Sequence, residues 1–162
     1  MMVQEVMSGS PACCTPEQPV REAAKLMHDH DCGCIPVEDS RTHRLVGVVT
    51  DRDIAMRVVA EGRSPDTPVK EAMSRDPSCC HADDSLVKAE EIMAERQVRR
   101  VPIVDDDGCC VGIVAQADLA RASQRSEAVS ERELARVVER ISEPDGASRS
   151  QGDTHRRPSS RH

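Results

Sequence analysis

The 162-residue chain contains no tryptophan, tyrosine or phenylalanine. A planar ligand must therefore be held by backbone groups, aliphatic side chains, methionine or arginine rather than by aromatic stacking, and any chemistry that needs a tyrosine is excluded. Basic charge is also scarce: 22 Lys and Arg stand against 29 Asp and Glu, a net charge of −7. Such a field repels phosphate backbones and acidic lipid surfaces unless a local patch reverses it, so nucleic acid and membrane are set aside as partners. No run approaches the ~18 apolar residues of a membrane span. The opening "MMVQEVMSGSP" lacks the basic start and apolar run of an export signal, and the cytoplasm is the expected compartment. In that setting the eight cysteines are expected to be thiols or ligands rather than a disulfide framework.

What the chain does have is an internal repeat. "EVMSGSPACCTPEQPVREAAKLM" from Glu5 and "EAMSRDPSCCHADDSLVKAEEIM" from Glu71 align at an offset of 66 residues, matching Met7 with Met73, Pro11 with Pro77, the pair Cys13-Cys14 with Cys79-Cys80, and Met27 with Met93. After a slip of one residue, "LVGVVTDRDIA" meets "CVGIVAQADLA", so that Gly47 matches Gly112 and Asp53 matches Asp118. Each copy reads as a short extended piece with a cysteine pair, a helix (Pro19 to about Asp31, Ser85 to about Gln97), a strand at "IPVED" or "VPIVD", a turn, a second strand, and a final helix from Asp51 or Gln116. A small sheet with one bare face is stable when two copies bury those faces against each other. The expected fold is α/β (α+β), two tandem repeats packed sheet to sheet with pseudo-twofold symmetry, joined by the linker "AEGRSPDTPV". The boundaries expected are 1–66 and 67–125 for the repeats, an amphipathic helix in 126–142 with Leu134, Val137, Val138 and Ile141 on one side and Ser130 and Glu133 as its capping box, and a disordered tail over 143–162.

The segment richest in chemistry is "GVVTDRD", Gly47 to Asp53. Thr50 and Asp53 have the spacing of a helix capping box, and a carboxylate at such a strand-to-helix junction can also accept from both hydroxyls of a ribose while nearby N–H groups face a phosphate. One role does not exclude the other. In the second copy "GIVAQAD" retains Asp118 but has Ala115 in place of Thr50, which removes a hydroxyl and predicts weaker binding in that copy or none.

Together the paired "MS..P", "IPV" and "VPIV" segments and Gly-hydrophobic-x-Thr-x-x-Asp resemble the cystathionine β-synthase (CBS) domain pair, or Bateman module, over about residues 3 to 125. Within it, "TDRDI" and "QVRRVP" look most like the small stand-alone bacterial pairs, including the hypoxic-response proteins of mycobacteria. The resemblance implies adenosine-type ligands, AMP, ADP, ATP or S-adenosylmethionine, in clefts between the repeats, with no cofactor required. By the same resemblance Thr50 and Asp53 hold the ribose, with Asp118 their counterpart in the second cleft. Cys13, Cys14, Ile35 and Val37 surround the base, and Arg52, Arg99 or Arg100 meets the phosphate. It further implies a regulatory homodimer whose packing responds to ligand and is read by an unidentified regulated protein. No catalytic constellation, Walker loop or attached catalytic domain is recognised, so an enzyme is not expected.

The competing reading is a cysteine-based redox or metal stress sensor. "HDHDCGC", His28 to Cys34, offers zinc-type ligands, but at the repeat offset these histidines and cysteines become Ala94, Arg96, Val98 and Arg100. Histidines two apart on a helix also point to different sides. No metal site is expected there: Cys32 reads as an apolar position and Gly33 as a helix stop. Each cysteine pair is expected to place one sulfur in the core and one toward a cleft, Cys109-Cys110 is assigned to packing, and Asp105 to Asp107 is a solvated turn without the spacing of a calcium loop.

Overall fold

The computed structural model describes residues 1–125 and 131–142. In chain order the elements are β1 (Ser8–Gly9), α1 (Val20–Asp29), β2 (Cys34–Glu38), β3 (Leu45–Thr50), α2 (Asp51–Ile54), β4 (Ser74–Arg75), β5 (Cys80–His81), α3 (Leu86–Arg96), β6 (Arg100–Val104), β7 (Cys110–Ala115), α4 (Gln116–Ser123) and α5 (Glu131–Ser142). They form two sheets, β2-β3-β4 and β1-β7-β6-β5. The fold is the expected pair of α/β repeats.

The sheet order shows something the repeat alone does not: each copy begins inside the other. β1 pairs with β7 of the second repeat, and β4 pairs with β3 of the first. The short 3-10 turns that precede these strands are exchanged too. Val3 and Gln4 donate their N–H groups to Asp84 and Ala82 carbonyls at 2.9 Å each, while Val69 and Lys70 donate to Gln18 and Pro16 at 2.8 and 2.9 Å. Val3 is buried in a core with Leu86, Met93, Ile103 and Leu119; Val69 is buried in the other core with Val20, Ile35 and Val49. Two-residue strands are too short to be stable alone, and the reciprocal burial of these two valines is what anchors them.

Exchange explains the paired glycines. A Cβ on Gly47 would stand 2.7 Å from the Ser74 carbonyl and 2.9 Å from Met73 Sδ, and one on Gly112 would stand 2.7 Å from Met7 Sδ and 3.0 Å from the Ser8 carbonyl. The exchanged "MS" strand crosses directly over each glycine, so two motifs far apart in sequence are one packing contact.

The repeat extends to backbone conformation. Left-handed φ values recur at Ser10 and Asp76 (50° and 49°), at Asp31 and Gln97 (48° and 53°), and at His43 and Gly108 (59° and 82°). Asp31, rather than Gly33, is therefore the left-handed residue after α1. Gly33 is small for a different reason: its carbonyl accepts from Asp51 N–H at 3.0 Å, and a Cβ there would meet Asp51 Oδ2 at 2.8 Å. The helix entered at Asp51 keeps α-geometry only to Ile54 and continues as a π-helix over Ala55–Val59. Arg57 donates from this segment to the Ala72 and Met73 carbonyls at 2.8 and 3.1 Å.

Helix α5 packs on α3 and α4. Leu134, Val137 and Ile141 join the second core, whereas Val138 is 40% exposed; one residue on from Val137 it is rotated ~100° away. Residues 126–130, with the expected cap at Ser130, and the tail 143–162 lie outside the described residues. Beneath α5 sits Glu90, 6% exposed, whose Oε1 has no hydrogen-bond partner among the described residues. Burial, then the charges of Glu133 and Glu91, holds its carboxyl above the ordinary value. A raised folded pKa means the native state binds the proton more tightly than the unfolded chain. Stability from this site is thus fully present below the unfolded carboxylate pKa and lost as pH rises through the folded one. Glu90→Gln is expected to stabilise the protein at neutral pH by about 1–3 kcal/mol, with the gain vanishing in acid; urea unfolding at pH 7.5 and pH 4 checks both the sign and the trend.

Candidate functional site

The strand-to-helix junction at the end of β3 holds the first group of candidate residues. Asp53 N–H donates to Thr50 Oγ1 at 3.1 Å, and Thr50 N–H donates to Asp53 Oδ2 at 2.9 Å, the reciprocal cap that the sequence spacing predicts. The remaining oxygen, Oδ1, is 3.9 Å from Arg57 Nη1, outside hydrogen-bond range. A half-buried carboxylate thus keeps one oxygen for the fold and presents the other. At the second junction Ala115 N–H donates to Asp118 Oδ2 at 2.8 Å, no hydroxyl returns the bond, and Oδ1 already accepts from Arg121 Nη2 at 2.9 Å. The two carboxylates share a scaffold and differ in availability.

The arginines divide between the repeats. Arg52 is exposed on the first turn of α2. Arg99 is exposed and passes its carbonyl to Gln116 N–H at 2.9 Å, which places it beside the second junction. Arg100 starts β6 opposite Ala115, yet its charge also acts on Cys34 of the first repeat, as does Asp53. Cys34 in turn lies opposite Thr50 in the β2–β3 ladder. Arg100 and Asp53 thus both act on Cys34, which stands opposite Thr50.

Cys14, Ile35 and Val37 do not open to this region. They are 2%, 1% and 0% exposed and pack in the first core, while the backbone around them is consumed by Cys14 N–H to Pro36 O (3.0 Å) and Glu38 N–H to Cys14 O (2.9 Å). Strand β2 is covered on both faces from Cys34 to Val37, so four successive residues are buried. Cys13, by contrast, is half-buried, and the division of each cysteine pair into one core and one outer sulfur holds in both copies, with Cys80 buried and Cys79 half-buried. Burial pushes Cys14 and Cys34 up to about 12 and Cys80 up to about 11, so these thiols stay protonated and inert at neutral pH.

A cavity of about 290 Å³ is lined by Arg44, Leu45, Asp76, Pro77, Cys79, Val104 and Gly108. The repeat maps Cys79 to Cys13 and Leu45 to Cys110, so where the second copy sets a thiol beside a leucine, the first sets two thiols together. In the segment from His28 to Cys34, His28 points to solvent, its side chain 89% exposed, with Nδ1 3.1 Å from Asp29. Among the described residues no group of three or more His, Cys, Asp and Glu is placed to hold a metal ion. Asp105 Oδ1 accepts from Asp107 and Cys109 N–H groups at 3.0 and 2.9 Å, which makes it the clasp of a turn.

Compared with known families, residues 3–60 and 69–125 each match the CBS domain. The chain belongs to the CBS domain family. The CBS domain-containing protein YhcV of Bacillus subtilis is 45% identical over 118 residues, 73% of this chain and 82% of that protein. Hypoxic response protein 1 of Mycobacterium tuberculosis is 35% identical over 121 residues, 73% of this chain and 82% of that one. A crystal structure of hypoxic response protein I with two coordinated zinc ions superposes with a TM-score of 0.68 at 33% identity, covering 75% of this chain and 98% of that one. The CBS pair of MJ0100, solved with 5′-methylthioadenosine and S-adenosylmethionine, superposes with a TM-score of 0.70 at 28% identity, covering 77% and 97%. Within the CBS pair, Cys34, weighed in sequence only as a metal ligand, acts with Arg100 and Asp53, and Cys110, assigned in sequence to packing, acts on Cys13. The usable signal was their repeat partners, Arg100 and Leu45, which mark both positions as ones the scaffold does not require to be cysteine.

Proposed function

We propose that this CBS pair is a non-catalytic regulatory module that binds an adenosine-type ligand at the Thr50–Asp53 junction and signals by a change in how the repeats pack. The observation that carries the reading is the state of Asp53: one oxygen is bound in the cap, and the other has no hydrogen bond among the described residues, with Arg57 at 3.9 Å and the charge of Arg100, like that of Asp53, acting on Cys34. The ribose hydroxyls donate to that carboxylate, and Arg100 or Arg52 supplies positive charge for a phosphate or sulfonium-bearing ligand's carboxylate. With no aromatic residue in the chain, the base lies against backbone and aliphatic surface beside Cys13. A relative of the same fold, MJ0100, holds adenosyl compounds, which supports the ligand class.

A ligand can shift the packing only by binding two arrangements unequally. The exchanged strands β1 and β4 link each repeat's beginning to the other's sheet, so a change in one repeat's junction moves its partner. A second copy is the proposed partner for the first repeat's outer face, where Met56 and Val59 are 55% and 69% exposed. Calorimetric titration of reduced, metal-free protein with AMP, ADP, ATP and S-adenosylmethionine tests the reading. Saturable binding of at least one is expected; absence of binding by all four overturns it.

A further inference from the structure

Cys13 and Cys110 come from different repeats, and each thiol perturbs the ionisation of the other. The exchanged strand brings them together. β1 runs antiparallel to β7 with Gly9 opposite Gly112, Ser10 N–H extends that pairing to the Val111 carbonyl at 3.3 Å, and the left-handed turn at Ser10 then carries the chain past the start of β7, where Cys110 sits. Cys14 is tied to β2 of the first repeat, so Cys13 is held between two fixed points. Both sulfurs are half-buried. Each also has a local backbone acceptor, Pro11 O for Cys13 and Gly112 O for Cys110, at 3.4 Å.

We propose that Cys13 and Cys110 are an oxidisable pair that closes to a disulfide between the two repeats when the protein meets a hydroperoxide. Burial raises Cys14, Cys34, Cys79 and Cys80, whereas Cys13 and Cys110 also perturb each other's ionisation. Either sulfur can make the first attack and the other resolve it. The first thiolate attacks a peroxide oxygen; an S–O bond forms, the O–O bond breaks, and the departing hydroxide takes a proton to leave as water when the oxidant is hydrogen peroxide. The other sulfur then attacks the sulfenic sulfur; the S–S bond forms, the S–O bond breaks, and the proton of the resolving thiol leaves with hydroxide as a second water. Two thiols lose two electrons in all and the peroxide gains them.

The second repeat is the internal control, because there Cys79 shares a cavity with Leu45, the repeat counterpart of Cys110.

The test needs no nucleotide, so it fails or succeeds independently of the proposed ligand. The full-length reduced protein is treated with hydrogen peroxide, unreacted thiols are alkylated under denaturing conditions, and peptides are mapped without reduction. The expected product is an intrachain Cys13–Cys110 link with the other six cysteines alkylated, absent in Cys13→Ser and Cys110→Ser. In Cys13→Ser, dimedone should label Cys110. Eight alkylated thiols after peroxide, or a dominant link between other cysteines, would overturn the proposal.

Discussion

Gly47→Ala is expected to lose about 1–3 kcal/mol of stability or more, the usual range for overpacking a filled site, and to lose more than Gly112→Ala. The reason is what each new methyl would meet. At Gly47 the closest atom is the Ser74 carbonyl oxygen at 2.7 Å, part of the exchanged backbone, whereas at Gly112 the closest is the end of the Met7 side chain at 2.7 Å, with the Ser8 carbonyl at 3.0 Å. A methionine sulfur can swing aside; a hydrogen-bonded strand cannot move without giving up its pairing. Because β4 carries Met73 into the first core, displacing it also uncovers apolar surface. Urea unfolding of both variants measures the difference. Equal losses below about 0.5 kcal/mol, the level of an ordinary surface change, would mean the exchanged strands do not bear on the glycines as described.

The second large effect is on ligand binding. Asp53→Asn keeps an amide oxygen to accept from Thr50 N–H, so the cap survives while the negative charge is lost. Hydrogen bonds to a charged group are worth about 1.5–3 kcal/mol, so affinity for the adenosine-type ligand should fall by roughly ten- to a hundredfold. Asp118→Asn should change it less than about twofold, because its free oxygen is already engaged by Arg121. Titration of both variants beside the parent reads the asymmetry directly, and equal losses would place the two junctions on the same footing.

The sequence disclosed the repeat, the helices and the Thr50–Asp53 cap because each rests on a local signal: an offset of matched residues, apolar spacing at helical period, and a capping pair three residues apart. The exchange of β1 and β4 was not legible. A two-residue strand has no alternation to read, and its partner lies some hundred residues away in one case. The left-handed residues Ser10, Asp31, His43, Asp76 and Gln97 were hidden for a related reason, since none is the glycine that usually marks such a turn. The base-contacting role implied for Ile35 and Val37 could have been doubted earlier, because "CIPV" is an unbroken apolar run, the mark of a strand covered on both faces. Cys110 reads as packing because its neighbourhood is apolar; that the exchanged strand leading to Cys13 pairs with β7 is visible only in the fold.

The structure of the protein crystallised with the adenosine compound that binds it tests the central claim most directly. The account predicts the ribose hydroxyls on the Asp53 carboxylate, beside Thr50, with Arg100 of the opposite repeat bordering the ligand. A ligand seated instead against Asp118 and the cavity beside Cys79, with the Asp53 junction unchanged, would contradict it.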